Sequence, residues 1–228
     1  MSDETVHFDE LAELYRTFAA DTDCLYRPWL AAHVPARGGR AVDLGCGSGR
    51  FTGMLAERYE HVLAVDIAAR EIEMARTAHP RDNVDFRVRA YEDVTAAADG
   101  RFDLVFSVNT IHHRDDYGAV LPRIRELLAP GGHLVLMDIV DRGAKSREWL
   151  VDEAFRDARD SYLNRSRDHE TAADILRLRL HPVWLRLNGT QTVLSREEFH
   201  RTYAAVFPGA VFADDIHPAV CALHWVNS

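Results

Sequence analysis

The sequence predicts an α/β fold built on a doubly wound, mostly parallel β-sheet. Three observations point there. Short apolar runs alternate with amphipathic stretches from about residue 41 to residue 139, and right-handed β-α-β crossovers wind such a pattern into a parallel sheet. Runs such as Leu104-Val105-Phe106 are apolar without alternation, as strands covered on both faces require. The 228 residues are 47% hydrophobic and 28% charged, enough for one sizeable core with a small insertion.

Taken in order, residues 8 to about 32 read as helical, because Leu11, Leu14, Tyr15 and Phe18 recur three and four apart. Pro35 and Gly38-Gly39 then punctuate the chain. Strands are predicted at 41–44, 61–66, 84–88, 102–108 and 132–139. Helices are predicted around 50–59, 68–78 and 117–128; Val120, Leu121, Ile124 and Leu127 give the last of these one apolar stripe. Beyond Asp141 no strand is evident until about residue 190. Two helical stretches fill the gap, near 146–163 and 171–180, the second ended by Pro182. Ser195-Arg196-Glu197-Glu198 has the form of a capping box ahead of another helix. Two short apolar segments, 211–215 and 219–225, flank His217-Pro218 and read as an antiparallel hairpin at the sheet's edge. The organisation expected is one domain: an N-terminal helical cap (1–37), a core (38–141 and 191–228) and an inserted helical lid (142–190).

Several function classes are disfavoured. No segment approaches the roughly 18 uninterrupted apolar residues of a membrane span, and the first residues are acidic and polar, unlike a targeting peptide. A cytoplasmic protein without membrane attachment is expected. Cys24, Cys46 and Cys221 are too few and too scattered for a disulfide framework or a CxxC zinc pattern. A net charge of −9 is a poor electrostatic footprint for nucleic acid.

Ligands of open α/β sheets bind at the carboxyl ends of the strands. There the first strand runs into Asp43-Leu44-Gly45-Cys46-Gly47-Ser48-Gly49. Glycines permit positive φ and let a ligand touch the backbone. The spacing is G-x-G-x-G, not the dinucleotide G-x-G-x-x-G. Asp43, just ahead of the glycines, suits an ammonium-bearing cofactor and would repel a pyrophosphate. The second strand ends at Asp66, seventeen residues after Gly49, where a carboxylate can accept hydrogen bonds from both hydroxyls of a ribose.

With these residues in view, the chain resembles the class I, Rossmann-like S-adenosylmethionine-dependent methyltransferases of the small-molecule group, over about residues 38–140. Ala41–Gly49 looks like the family's first motif and Ala64-Val65-Asp66-Ile67 like its ribose-binding acid. Phe102–Val108 looks like the fourth strand, and Leu128–Leu134 like the turn into the fifth. The resemblance implies a seven-stranded sheet whose last strand is antiparallel. It also implies S-adenosylmethionine as cofactor, held by Asp43, Gly45, Cys46, Gly47, Gly49, Asp66 and Ile67. Tyr91 and Glu92 fall where the family holds the adenine, although Ala90 stands where it usually has an acid. Asn109 falls where a backbone carbonyl commonly meets the cofactor's amino group. Tyr15 could cap the cofactor from the N-terminal helix or could be ordinary core.

Methyl transfer is an in-line displacement, so alignment supplies much of the rate, and a hydroxyl nucleophile also benefits from a base. His112 and His113, just past the fourth strand, are the candidate catalytic residues, since imidazole titrates near neutral pH; packing against the cofactor is the other reading. In the lid, Trp149, Tyr162, His181 and Trp184 are candidates for a substrate pocket. Asp138 and Asp141 follow the fifth strand, but Asn109 replaces an acid after the fourth, so no metal is expected. Asn109-Thr110-Ile111-His112 stands where amino-modifying nucleic-acid enzymes often carry Asn-Pro-Pro-aromatic, and a Pro-Cys nucleophile is absent. The reading is transfer of a methyl group to an O, N or C nucleophile of a small molecule, a specialised metabolite. Its alternative is a cofactor-binding relative without methyl transfer, serving as a non-methylating enzyme or a partner's activator. A nicotinamide oxidoreductase fits the fold but not the glycine spacing. The aromatic lid could pair with a second copy in a homodimer.

Overall fold

Parallel pairing joins β1 (Gly38–Leu44), β2 (Tyr59–Asp66), β3 (Val84–Val88), β4 (Phe102–Val108) and β5 (Leu128–Ile139). The hairpin of β6 (Val211–Ala213) and β7 (Val220–Val226) follows, with β7 antiparallel to both β5 and β6. The strand order is β3-β2-β1-β4-β5-β7-β6: the seven-stranded sheet with its antiparallel last strand. The coordinates are a computed structural model describing the backbone of residues 3–114, 116–143, 146–190 and 193–228. Side chains are described for the same residues except 3–10, 12 and 187–190. None of the described helices is long and apolar enough to cross a membrane.

The chain forms two compact units: Met1–Pro28 with Gly143–Thr192, and Trp29–Arg142 with Val193–Ser228. The second holds the sheet, with α2 (Thr52–Ala56), α3 (Ala69–Ala78), α4 (Ala96–Asp99), α5 (Tyr117–Glu126) and α9 (Arg196–Val206). Its core includes Val42, Leu44, Val105, Leu121, Ile124, Leu136, Phe199, Tyr203 and Leu223. β1 and β4 are neighbours although the chain leaves them toward opposite sides of the sheet. Their carboxyl ends therefore form the switch point at which ligands of such sheets bind.

Several boundaries differ from the sequence expectation for identifiable reasons. β1 begins at Gly38 instead of residue 41 because Asp103 Oδ2 accepts hydrogen bonds from the N–H groups of Gly39 (2.8 Å) and Arg40 (2.9 Å). Gly38 then pairs with Tyr59, which shortens the helix expected over 50–59 to α2. β5 begins at Leu128, and the expected Pro130-Gly131-Gly132 turn survives inside it. The register against β4 jumps from Phe102↔Leu128 to Leu104↔His133, and Gly131 takes a φ of +76° there.

The first unit is helical. The N-terminal region is the single helix α1 (Asp3–His33), and it supplies residues to both units. α6 (Arg147–Asn164) and α7 (His169–Leu180) match the two expected stretches. A third helix, α8 (Pro182–Thr190), goes beyond the sequence expectation. Pro182 ends one helix and starts another, because a missing N–H and a fixed φ suit a first helical position. Leu11, Leu178 and Val183 form an apolar cluster here, joined by Leu14, Tyr15, Phe18 and Trp184. A buried carboxylate, Asp21, accepts from Ser161 Oγ at 3.0 Å and from the Arg165 guanidinium, whose Nη2 also reaches Asp157 at 2.7 Å. Burying these charges is tolerable because each is paired and hydrogen-bonded.

The capping box at α9 is present in full. Ser195 Oγ accepts from Glu198 N–H while the Glu198 carboxylate accepts from Ser195 N–H. Ser195→Ala should therefore destabilise the chain by about 1 kcal/mol in urea unfolding, with the slope of the transition unchanged.

Candidate functional site

At the end of β1 the backbone turns through Gly45, Gly47 and Gly49, at φ of +75°, +51° and +81°. The three glycines are needed for different reasons. A Cβ on Gly45 would lie 2.2 Å from Thr110, and one on Gly49 would lie 2.9 Å from His79, so both are fixed by packing. Around Gly47 the nearest atom to such a Cβ is Glu71 Oε2 at 3.8 Å. Gly47 is thus where the turn leaves room for a ligand.

Asp66 organises the turn. Its Oδ2 accepts the Gly47 N–H at 2.9 Å and its Oδ1 accepts the Ala68 N–H at 2.8 Å. Val65 O accepts from the N–H groups of both Gly45 and Cys46, at 2.9 and 3.0 Å. Burial raises the Asp66 carboxyl above its ordinary value despite these bonds. Each carboxylate oxygen carries two lone pairs, so acceptor capacity is left for a ligand's hydroxyls. Ile67, next in sequence, is 47% exposed, an apolar surface at the same strand end. The Cys46 thiol is held far from ionisation, first by burial and then by Asp43 and Asp66, which leaves it no nucleophilic role.

Asp43 lies buried beneath the turn and accepts a 2.6 Å hydrogen bond from Thr52 Oγ1. Asn109, at the end of β4, has a φ of +55°, a left-handed conformation that asparagine tolerates better than most residues. Its Oδ1 is buried without a hydrogen-bond partner, as is Glu92 Oε2. The other Glu92 oxygen pairs with Arg114 Nε. Tyr91 is buried beside it. Two partnerless buried acceptors, set at the ends of neighbouring segments, are the kind of feature a ligand's N–H and O–H groups satisfy.

The loop after β4 rests on the glycine turn, with Thr110 Oγ1 donating to Gly45 O at 3.2 Å. It carries His112 and His113, whose rings lie 4.0 Å apart but in unlike settings. Burial, and then the neighbouring His112, depress the basicity of His113 to about 3, so its ring stays neutral at physiological pH. His112 is 6% exposed and tied to Asp138. Its backbone N–H donates to Asp138 Oδ2 at 2.8 Å, and its ring Nδ1 is hydrogen-bonded to Asp138 Oδ1.

The remaining expected residues belong to the helical unit. Tyr15 and Trp184 meet there, ring centroids 5.9 Å apart, within its apolar cluster. His181 caps α7, and its Nδ1 accepts from Val183 N–H at 3.3 Å. Trp149 and Tyr162 lie on one helix, thirteen residues apart, about 20 Å along its axis; Tyr162 is 50% exposed. The structure therefore does not bring these two to a single small pocket.

Sequence reasoning missed Thr52, Thr110 and Asp138. Asp138 carried a usable signal, an acid at a strand's carboxyl end like Asp66, but its partner His112 is twenty-six residues away. Among the described residues, one cluster could hold a metal ion: His200, Asp214 and Cys221. A cation is already there, since Arg196 Nη1 lies 2.7 Å from Asp214 Oδ1 and 3.4 Å from Cys221 Sγ. Burial also pushes the Cys221 thiol up to about 12.

Burial raises the Asp43 carboxyl from an ordinary 3.8 to about 7, outweighing the Thr52 bond. A carboxyl that binds its proton more tightly when folded favours folding fully below about pH 4 and loses that contribution as pH rises through 7. Unfolding measured from pH 4 to 8 should show the native chain losing stability relative to Asp43→Asn, by up to about 4 kcal/mol. Parallel pH curves would overturn the assignment.

Residues 42–136 match the family model described as a methyltransferase domain. The ubiquinone biosynthesis O-methyltransferase of Xylella fastidiosa is 34% identical over 114 residues, covering 49% of this chain and 46% of the relative. That of Cereibacter sphaeroides is 36% identical over 131 residues, covering 54% and 52%. The chain thus spans about half the length of the curated relatives it matches. Among solved structures, an S-adenosylmethionine dependent methyltransferase from Mesorhizobium loti shares the fold with a TM-score of 0.57, at 17% identity, over 89% of this chain and 97% of its own. Over residues 42–136 the chain is thus similar to methyltransferase domains, and its strand order and glycine turn are those of the class I, Rossmann-like fold.

Proposed function

We propose that the chain transfers a methyl group from S-adenosylmethionine to an oxygen of a small-molecule acceptor. The observation that carries this reading is the carboxylate of Asp66, pinned by the N–H groups of Gly47 and Ala68 beside the open face of Gly47. That arrangement leaves a preorganised acceptor for paired ribose hydroxyls. The partnerless acceptors Glu92 Oε2 and Asn109 Oδ1 fit the amino groups of the same molecule, and Ile67 and Tyr91 offer apolar surface to its adenine. When bound, S-adenosylmethionine supplies a methyl group activated by a sulfonium. The positive charge of that molecule suits a site that holds the half-buried Asp66 at the turn and the buried Asp43 beneath it. Oxygen as the receiving atom is supported by the curated relatives, which are named as O-methyltransferases.

Hydrogen bonds to a charged group are worth about 1.5–3 kcal/mol. Asp66→Ala should accordingly weaken binding of S-adenosylhomocysteine, measured by calorimetry, about ten- to hundredfold. Unchanged affinity would sink the ribose assignment. Incubation with S-adenosylmethionine and a panel of hydroxylated metabolites should release S-adenosylhomocysteine. Tight binding with no release across the panel would replace transfer by binding alone.

A further inference from the structure

We propose that Asp138 is a positioning residue that holds His112 with its proton on Nδ1 and a bare Nε2, ready to accept the proton of the acceptor's hydroxyl. This inference rests on the reading of the site as an oxygen methyltransferase. Asp138 grips His112 at two points, accepting the backbone N–H on Oδ2 at 2.8 Å and the ring Nδ1 on Oδ1. A carboxylate offers only acceptors, so the ring nitrogen facing it must be the donor, and the basic lone pair lies on Nε2. Both side chains are buried, at 6% and 1% exposure. The bond is therefore not weakened by water, and the ring cannot turn without stranding the carboxylate. The loop that carries His112 is anchored on Gly45 through Thr110, which ties the ring to the cofactor turn.

The groups facing the pair come from three elements. His113 and Arg114 follow on the same loop, and Tyr91 and Glu92 come from the segment after β3. Tyr203 of α9 stands near Asp138, and Tyr117 of α5 packs edge-on against Tyr203, ring centroids 6.2 Å apart. Arg114 is paired with Glu92, His113 is neutral, and the Tyr203 hydroxyl is buried without a hydrogen-bond partner. Asp138 is thus the one carboxylate in this set hydrogen-bonded to the His112 ring. In the balanced step, the acceptor oxygen bonds to the methyl carbon and the carbon–sulfur pair returns to sulfur. The hydroxyl proton moves to His112 Nε2, and the resulting imidazolium is stabilised by the Asp138 charge. An imidazole oriented and stabilised by a buried carboxylate is a general arrangement for such proton transfer.

Asp138→Asn tests this with nearly the same shape. Asp138 Oδ1 also accepts the Ile139 N–H at 2.9 Å, so each side of the new amide meets a backbone donor; with its oxygen on the His112 backbone N–H, the amide NH2 faces Nδ1 and moves the ring proton to Nε2. Long-range proton–nitrogen correlation on the full chain with labelled histidine, saturated with S-adenosylhomocysteine, reads the tautomer without a methyl acceptor. The native chain should show His112 protonated on Nδ1 alone, and Asp138→Asn should show Nε2 protonation appearing, with S-adenosylhomocysteine affinity within threefold. With hydroxylated acceptors, kcat should fall about 10²–10⁴-fold in Asp138→Asn and in His112→Gln, while KM for S-adenosylmethionine holds. A native ring protonated on Nε2, or full turnover in either variant, overturns the proposal. Loss of S-adenosylhomocysteine binding by the native chain overturns instead the cofactor reading on which it rests.

Discussion

The carboxylate of Asp66 accepts one hydrogen bond from the glycine turn and another from the residue just before α3, and the geometry of the site depends on this. Ordering a residue costs roughly 1–2 kcal/mol of backbone entropy, and three glycines at positive φ are the least predisposed to settle. Two hydrogen bonds to a charged acceptor contribute about 1.5–3 kcal/mol each, enough to offset the ordering of several residues. The parallel pairing of Leu44 with Val65 brings the two strand ends together, so one side chain can tie both loops. A shift of register between β1 and β2 would undo the turn and the placement of its carboxylate together.

The sheet was legible in the sequence through two patterns, unbroken apolar runs in its buried central strands and alternation at its exposed edge strand β3. β3 and β4 have the expected bounds: Val84–Val88 alternates apolar and polar residues, and β4 is built on the unbroken run Leu104-Val105-Phe106. Where a boundary depends on a contact distant in sequence, the local pattern could not show it. β1 begins early because Asp103 reaches back sixty-four residues to Gly39, and no window around Gly38 contains that information. Pro182 reads locally as a stop, yet it is also a start. Which meaning applies depends on whether the residues after it find a surface to pack on, and here Val183 and Trp184 join the helical unit's apolar cluster.

The candidate site divides in the same way. The glycines, Asp43 and Asp66 were visible because backbone conformation and strand-end position constrain residue type directly. Thr52 and Asp138 each complete another residue distant in sequence, and although Asp138 stands at a strand's carboxyl end, nothing local names its partner. The aromatic residues of the helical segment show the reverse error. Tyr15 and Trp184 are packed together, and Tyr162 is out in solvent, because a helical stripe of large side chains serves core packing as readily as a ligand.

His112 and His113 show most directly how setting decides chemistry. They are the same residue type, adjacent in sequence, with rings in contact. His113 is buried beside another imidazole and the Arg114 guanidinium, which leaves its ring about 3 in basicity; such a ring takes a proton only in strong acid. His112 is buried as well, yet its ring and its backbone amide both meet one carboxylate. Desolvation disfavours an isolated imidazolium, whereas a carboxylate in hydrogen-bond contact favours it. Burial with a second imidazole beside it keeps the His113 ring neutral, whereas His112 is buried against a carboxylate that meets both its ring and its backbone amide. The sequence offers the pair; the position of Asp138 on β5 gives the two rings their different settings.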